Sequence, residues 1–110
     1  MALSHLISLG YKIETKNYRC PFGEIDIIAK DKGVLAFVEV KTRLSQRFGA
    51  PKEAVDYHKQ QRLIRIALYY LACLGKKEGQ EICRFDVVSI LRDSQSGWIV
   101  ELIKDAFPLL

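Results

Sequence analysis

The sequence of 110 residues is poor in cysteine. Cys20, Cys73 and Cys83 cannot all pair with one another, and their spacing fits no zinc-binding motif. That argues against a disulfide-stapled fold and points to buried free thiols in the reducing cytoplasm. Long apolar runs are missing as well. None approaches the roughly 18 residues that suggest a membrane-spanning helix, so no membrane association is expected. The first ten residues carry no basic n-region, so no export signal is expected and the expected location is cytoplasmic. There are no internal repeats, low-complexity tracts or interdomain linkers, and one domain covering residues 1–110 is expected. His58 stands without a partner motif and is given no role. What is present is ordinary for a globular protein, with 49% hydrophobic and 27% charged residues. The formal charge of +4 permits a polyanionic partner without requiring one.

The chain is organised around residues 22–43. Two apolar runs, Ile25 to Ala29 and Val34 to Val40, flank Asp31-Lys32-Gly33, a hairpin signal. Both runs read as largely buried strands. Asp26 nevertheless lies inside the first, and Glu39 and Lys41 lie at the end of the second. Buried charges are costly unless they are paired or hold a metal. Side chains two apart share a strand face, so Glu39 and Lys41 point one way, as do Glu24 and Asp26, while Val38 and Val40 face a core. Antiparallel pairing brings Asp26 close to Glu39 and Lys41. Such a group suits a hard divalent cation, and it equally suits a cross-strand salt bridge in which Lys41 neutralises one acid.

The rest of the chain supplies the frame. Met1 to Leu9 reads as a short helix stopped by Gly10, and Tyr11 to Tyr18 as the first strand. Arg19-Cys20-Pro21 turns into the central hairpin. Arg43, Arg47 and Phe48 fall in a polar loop after Lys41 and offer phosphate contacts, with Phe48 equally suited to anchoring the loop. Pro51 fits the first position of a helix from Lys52 to Leu74, with Leu63, Ala67, Tyr70, Leu71 and Leu74 on one stripe. Lys52, Lys59 and Arg62 lie along one edge of it. Ile82 to Leu91 is the next strand, with Arg84 and Asp86 read as a structural pair. Trp98 to Ile103 is the last strand, and Ala106 to Leu110 is an apolar tail.

Gly23-Glu24-Ile25-Asp26 followed by Phe37-Val38-Glu39-Val40-Lys41-Thr42-Arg43 resembles the core of the PD-(D/E)XK nuclease superfamily. More closely, the sequence resembles the small bacterial YraN-type family of predicted endonucleases, which are similar to archaeal Holliday-junction resolvases. The likeness continues through Asn17, Arg19, Phe48-Gly49, Pro51, Lys59 and Arg84-Phe85-Asp86-Val87-Val88. It implies an α/β fold, a restriction-endonuclease-like αβββαβ core with a mixed central sheet flanked by helices.

The resemblance also implies a metal-dependent DNA endonuclease. Asp26 and Glu39, with the Val40 carbonyl, would hold Mg²⁺ or Mn²⁺, with Glu24 as an outer contact. Lys41 would act beside them, and Arg43, Arg47 and Lys59 would meet nucleic-acid phosphates. The implied partner is DNA, branched DNA included, and the resolvase analogy extends to a homodimer. Family members carry a metal-site Glu on a longer first helix. In this sequence no acid precedes Glu14, so that helix is expected to be shortened and one carboxylate absent. Two rival readings stay open. One is a non-catalytic nucleic-acid-binding module that keeps the nuclease fold. The other is a structural domain in which Asp26, Glu39 and Lys41 form only an ion-pair network.

Overall fold

The computed structural model describes residues 1–43, 56–76, 81–93 and 97–108. Its elements run α1 (Ala2–Ser8), β1 (Lys12–Cys20), β2 (Gly23–Asp31), β3 (Val34–Arg43), α2 (Tyr57–Cys73), β4 (Cys83–Asp93) and β5 (Gly97–Phe107). The strands form one five-stranded sheet in the order β1-β2-β3-β4-β5. Every neighbouring pair is antiparallel except β3 and β4, which run parallel with Phe37 beside Phe85 and Glu39 beside Val87. Parallel neighbours need a long crossover, and α2 lies within it. The mixed α/β architecture and the element order agree with expectation. Among the described residues no helix is long and apolar enough to cross a membrane.

The β2–β3 hairpin closes more tightly than the sequence suggests. Asp31 pairs with Val34, leaving Lys32 and Gly33 as a two-residue turn with φ of 52° and 85°. Positive φ at both central residues is the type I′ pattern, whose twist matches the strands it joins, and Gly33 adopts it without steric cost. Asp31 therefore belongs to the strand and is buried.

Each sheet face buries its own apolar layer. On the α2 face, Ile25, Ile28, Leu35, Phe37, Phe85 and Val87 pack against Leu63, Ile66, Ala67 and Leu71. On the other, Ile27, Ala29, Ala36, Val38, Val88 and Ile90 pack around Leu6 of α1 and Tyr11. The stripe expected on α2 shifts slightly: Ile66 is fully buried, whereas Leu74 is exposed because it lies in the C-cap turn. Gly75 ends the helix with φ of 76°, and the Lys76 N–H bonds the Leu71 carbonyl, a Schellman cap. The start of α2 differs from expectation. Asp56 is extended (φ −75°, ψ 173°) and its side chain accepts the Lys59 N–H at 2.9 Å, so Asp56 caps a helix that opens at Tyr57. Residues 44–55, with Arg47, Phe48, Pro51 and Lys52, lie outside the described residues, as does the Arg43 side chain.

The apolar tail resolves in part into β5, where Phe107 is buried and stacks on Phe85 with ring centroids 4.6 Å apart. The cysteines are all free but not buried as expected: Cys73 is exposed, and Cys20 and Cys83 are half-buried.

Arg84 and Asp86 form the expected pair, inside a larger network. Arg84 Nε donates to Asp86 Oδ1 at 2.8 Å, and its Nη2 donates to Asp31 Oδ2 at 2.7 Å and the Tyr11 hydroxyl at 2.8 Å. Tyr11 donates in turn to Asp86 Oδ2 at 2.7 Å. Lys104 Nζ reaches Asp31, and the Asp105 N–H reaches Asp86 Oδ1, each at 3.0 Å. Asp105 supplies that N–H from a bulge in β5, with φ of 53°. Every carboxylate here faces a cation or a donor, so burying Asp86 to 1% exposure leaves nothing unpaired in the network.

Asp31 is held below the usual carboxylate range, first by its bond from Arg84 and then by Lys104, against the opposing effect of burial. A depressed carboxyl stabilises the fold above its unfolded pKa, and that contribution is lost as pH falls through the folded value. Asp31→Asn is expected to cost about 3–5 kcal/mol in urea unfolding at pH 7, with a penalty that shrinks below about pH 4. Asp56→Ala is expected to cost about 1 kcal/mol by the same measurement, as the loss of a helix cap.

Candidate metal and phosphate site

The site begins with a fault in strand alternation. Ile25 joins the α2-side layer and Ile27 the opposite one, so Asp26 stands where the two-residue period changes phase before Ile28 returns to the α2 side. Pairing of β2 with β3 starts only at Ile27 and Val38. Beyond it Asp26 takes over the backbone's role, and its Oδ2 accepts the Val40 N–H at 2.8 Å. Across β1, the flanking pairs Lys16–Ile27 and Tyr18–Ile25 set Asn17 opposite Asp26, and Asn17 is left-handed with φ of 51°. Asn tolerates that conformation better than most residues.

On β3 the period of two continues undisturbed. Leu35 and Phe37 face α2, and Glu39 follows them, with 6% of its surface exposed. Its carboxyl meets that of Asp26 through a side-chain hydrogen bond and meets Lys59 of α2, whose Nζ lies 3.0 Å from Glu39 Oε2. Lys41, two residues on, contacts Lys59. The structure thus brings Asp26, Glu39, Lys41 and Lys59 together. Val38 faces the opposite layer, as expected, and Val40 packs against it.

Glu24 is placed differently. It accepts from Arg19 Nε in an exposed ion pair between β1 and β2. The Arg84 network occupies the other sheet face, with Asp86 beside Val38 in register and separate from Glu39. Glu14 is exposed and accepts the Tyr70 hydroxyl at 2.9 Å.

The electrostatics are unlike those of the Arg84 network, because like charges abut. Burial pushes Glu39 up to about 7, reinforced by its bond to Asp26, while Lys59 opposes the shift. Lys41 is pulled down by burial and then by Lys59. Burial also pulls Lys59 down, but its bonds to Lys41 and Glu39 outweigh that and hold it above its usual value.

Two adjoining carboxyls beside an ordered strand peptide are a donor set that suits Mg²⁺, which is typically held by one or two carboxylates and keeps several waters. A cation bound there would favour the ionised form of Glu39 and oppose the upward shift that burial imposes on it. Among the described residues no cluster of three or more His, Cys, Asp or Glu side chains comes together. Sequence reasoning gave Lys59 only a phosphate contact and missed its bond to Glu39. The signal available was its position one turn into the helix that follows the Glu-x-Lys strand.

Fold and site together define a mixed α/β protein with a paired-carboxylate and paired-lysine cluster at the parting of two central strands. Residues 1–90 match the sequence model described as Uncharacterised protein family UPF0102, and the chain belongs to that family. It is 50% identical over 107 residues to a UPF0102 protein of Thermodesulfovibrio yellowstonii, covering 97% of this chain and 88% of that one. It is 49% identical to a UPF0102 protein of Moorella thermoacetica, covering 96% and 88%. A UPF0102 protein of Syntrophus aciditrophicus is 48% identical, with 99% and 84% covered.

A carboxyl whose folded pKa is raised makes the fold less stable as pH rises from the unfolded value of 4.5 to about 7. Glu39→Gln removes that titration. With EDTA present, the variant is expected to gain thermal stability relative to the parent across this window, and the difference is expected to level off above it.

Proposed function

We propose that the protein is a metal-dependent DNA endonuclease of the PD-(D/E)XK type, hydrolysing phosphodiester bonds, with branched or junction DNA as the leading substrate class. The observation that carries the reading is the meeting of Asp26 and Glu39 at the β2–β3 parting, with Lys41 and Lys59 against them. Asp26, Glu39 and the Val40 carbonyl would hold Mg²⁺ or Mn²⁺. Such an ion supplies, when bound, Lewis acidity toward a phosphate and a water of lowered pKa.

The remaining work falls to the chain's own groups. The Val40 N–H fixes the Asp26 carboxylate, so one ligand is oriented before any ion arrives. Lys41, on the same face as Glu39, is positioned to stabilise charge building on a phosphate oxygen. Burial, and then Lys59, lowers its proton affinity below that of an ordinary lysine. Lys59 neutralises Glu39 in the metal-free state and, once released, is free to meet a flanking phosphate. Arg43 and Arg47 extend this to neighbouring phosphates, giving an affinity that falls with salt.

A second reading has its own support. Among the described residues two carboxyls meet in this cluster, and the reading that matches two rather than three is a nucleic-acid-binding module that keeps the fold without the chemistry. Mn²⁺ titration by calorimetry, paired with cleavage assays on branched DNA, separates the two. The nuclease reading expects saturable Mn²⁺ binding that is lost in Glu39→Ala. It also expects cleavage reduced at least a hundredfold in both Glu39→Ala and Lys41→Ala, with the fold retained. Metal-dependent cleavage persisting in both purified variants would sink the site assignment. DNA binding without Mn²⁺ binding or cleavage would leave the binding module.

A further inference from the structure

A path of exposed side chains leads away from the carboxyl pair along the seam between β2 and α2. The two elements are in register there. Gly23 lies so close to α2 that a Cβ on it would come 3.3 Å from Arg62 Cδ and 3.5 Å from Ile66 Cδ1. One residue before it, Phe22 sits edge-on to Tyr69, with centroids 6.0 Å apart. Three residues after it, Asp26 meets Glu39 and so Lys59. Measured on the helix, Lys59 to Tyr69 spans about 15 Å. Measured on the strand, Phe22 to Asp26 spans about 13 Å. The two estimates agree, so the aromatic pair and the carboxyl pair are the ends of one surface path a few nucleotides long.

The chemistry of that path is graded. Arg62 is exposed, lies close enough to Lys59 to disfavour its charge, and stands two turns from Tyr69 on one stripe. The whole of α2, Tyr57–Cys73, contains no acidic residue, while Lys59, Arg62 and Arg65 are basic. At the far end, Phe22, in the turn before β2, is 46% exposed, and Tyr69 of α2 is 36% exposed, although both are large rings. Rings of this kind beside a basic track are how sequence-tolerant binders hold single strands, with phosphates on the cations and bases on the ring faces. Base pairs do not fit this arrangement, because a stacking base must first leave its partner.

We propose that the β2–α2 seam binds one unpaired nucleic-acid strand, with a base stacked on Phe22 and Tyr69 and its phosphates running past Arg62 and Lys59 to Asp26 and Glu39. This deepens the nuclease reading and rests on it. It makes the preferred substrate one with an unpaired base a few nucleotides from the cut, as in a flap, a splayed junction arm or a free single strand.

The test uses oligonucleotides carrying 2-aminopurine at successive positions on a single-stranded arm, titrated in EDTA onto the full chain and onto Phe22→Ala, Tyr69→Ala and Phe22→Tyr. Phe22 and Tyr69 are exposed, so each variant is expected to fold, and circular dichroism is the check. The proposal expects fluorescence quenching at one or two adjacent positions, lost in Phe22→Ala and retained in Phe22→Tyr. It expects affinity for the arm to fall roughly 5- to 100-fold in either alanine variant, with fully paired duplex binding nearly unchanged. Equal quenching and affinity in all variants would overturn the seam while leaving the nuclease reading intact. Absence of any DNA binding by the unmodified chain would overturn both. A dimer that becomes a monomer in Phe22→Ala by sedimentation, with DNA binding unchanged, would assign the ring pair to a second copy of the chain and overturn the proposal.

Discussion

The bond from the Val40 N–H to Asp26 Oδ2 is the constraint on which the site depends. A strand peptide in the middle of a sheet must satisfy its N–H, and normally the neighbouring backbone does so. Here β2 changes phase at Asp26 and parts from β3, and a carboxylate stands in for the missing carbonyl. The substitution closes the ladder without closing the gap. It also orients Asp26 toward Glu39, whose place on β3 is set by the buried series Leu35 and Phe37. The unusual geometry of Asn17, opposite Asp26, lies at the same fault.

Two charged groups occupy the two faces of this sheet, and comparing them shows which is structural. Around Arg84, opposite charges alternate with donors, and Asp31 is driven toward its ionised form. That group is electrostatically settled and ties Tyr11, β2, β4 and β5 together. Around Glu39, burial and then Asp26 drive the carboxyl toward its neutral form against the pull of Lys59, and burial and then Lys59 lower the proton affinity of Lys41. A fold gains nothing from such frustration, and perturbed groups of this kind cluster at functional sites. The divalent cation and phosphate of the proposed function would relieve it, one taking the acids and the other the amines.

Much of this was legible in the chain itself. The apolar runs at Ile25 and Val34, the polar gap between them and the long amphipathic stretch ending at Gly75 fixed the element order, because burial and backbone geometry leave local marks. The phase of Glu39 and Lys41 against Val38 and Val40 was legible for the same reason, since a strand's period is two. Charges embedded in these runs and in the Ile82 to Leu91 strand marked Asp26, Glu39 and Asp86 as residues in need of partners.

What the partners were, only the tertiary structure decided. Periodicity would place Asp26 by its neighbours in sequence, yet its position follows from a phase change set by three adjoining strands. Asp31 read as part of a turn but lies within a strand, because Arg84 and Lys104 come from elements more than fifty residues away. The start of α2 at Tyr57 follows from Asp56, whose side chain accepts the Lys59 N–H and caps the first turn. Lys59 meets Glu39, and Phe22 meets Tyr69, only after the crossover lays α2 over β2. Local sequence determines which side chains must be buried or turned outward. Which charges then meet depends on contacts between distant segments, and no local pattern encodes those distances.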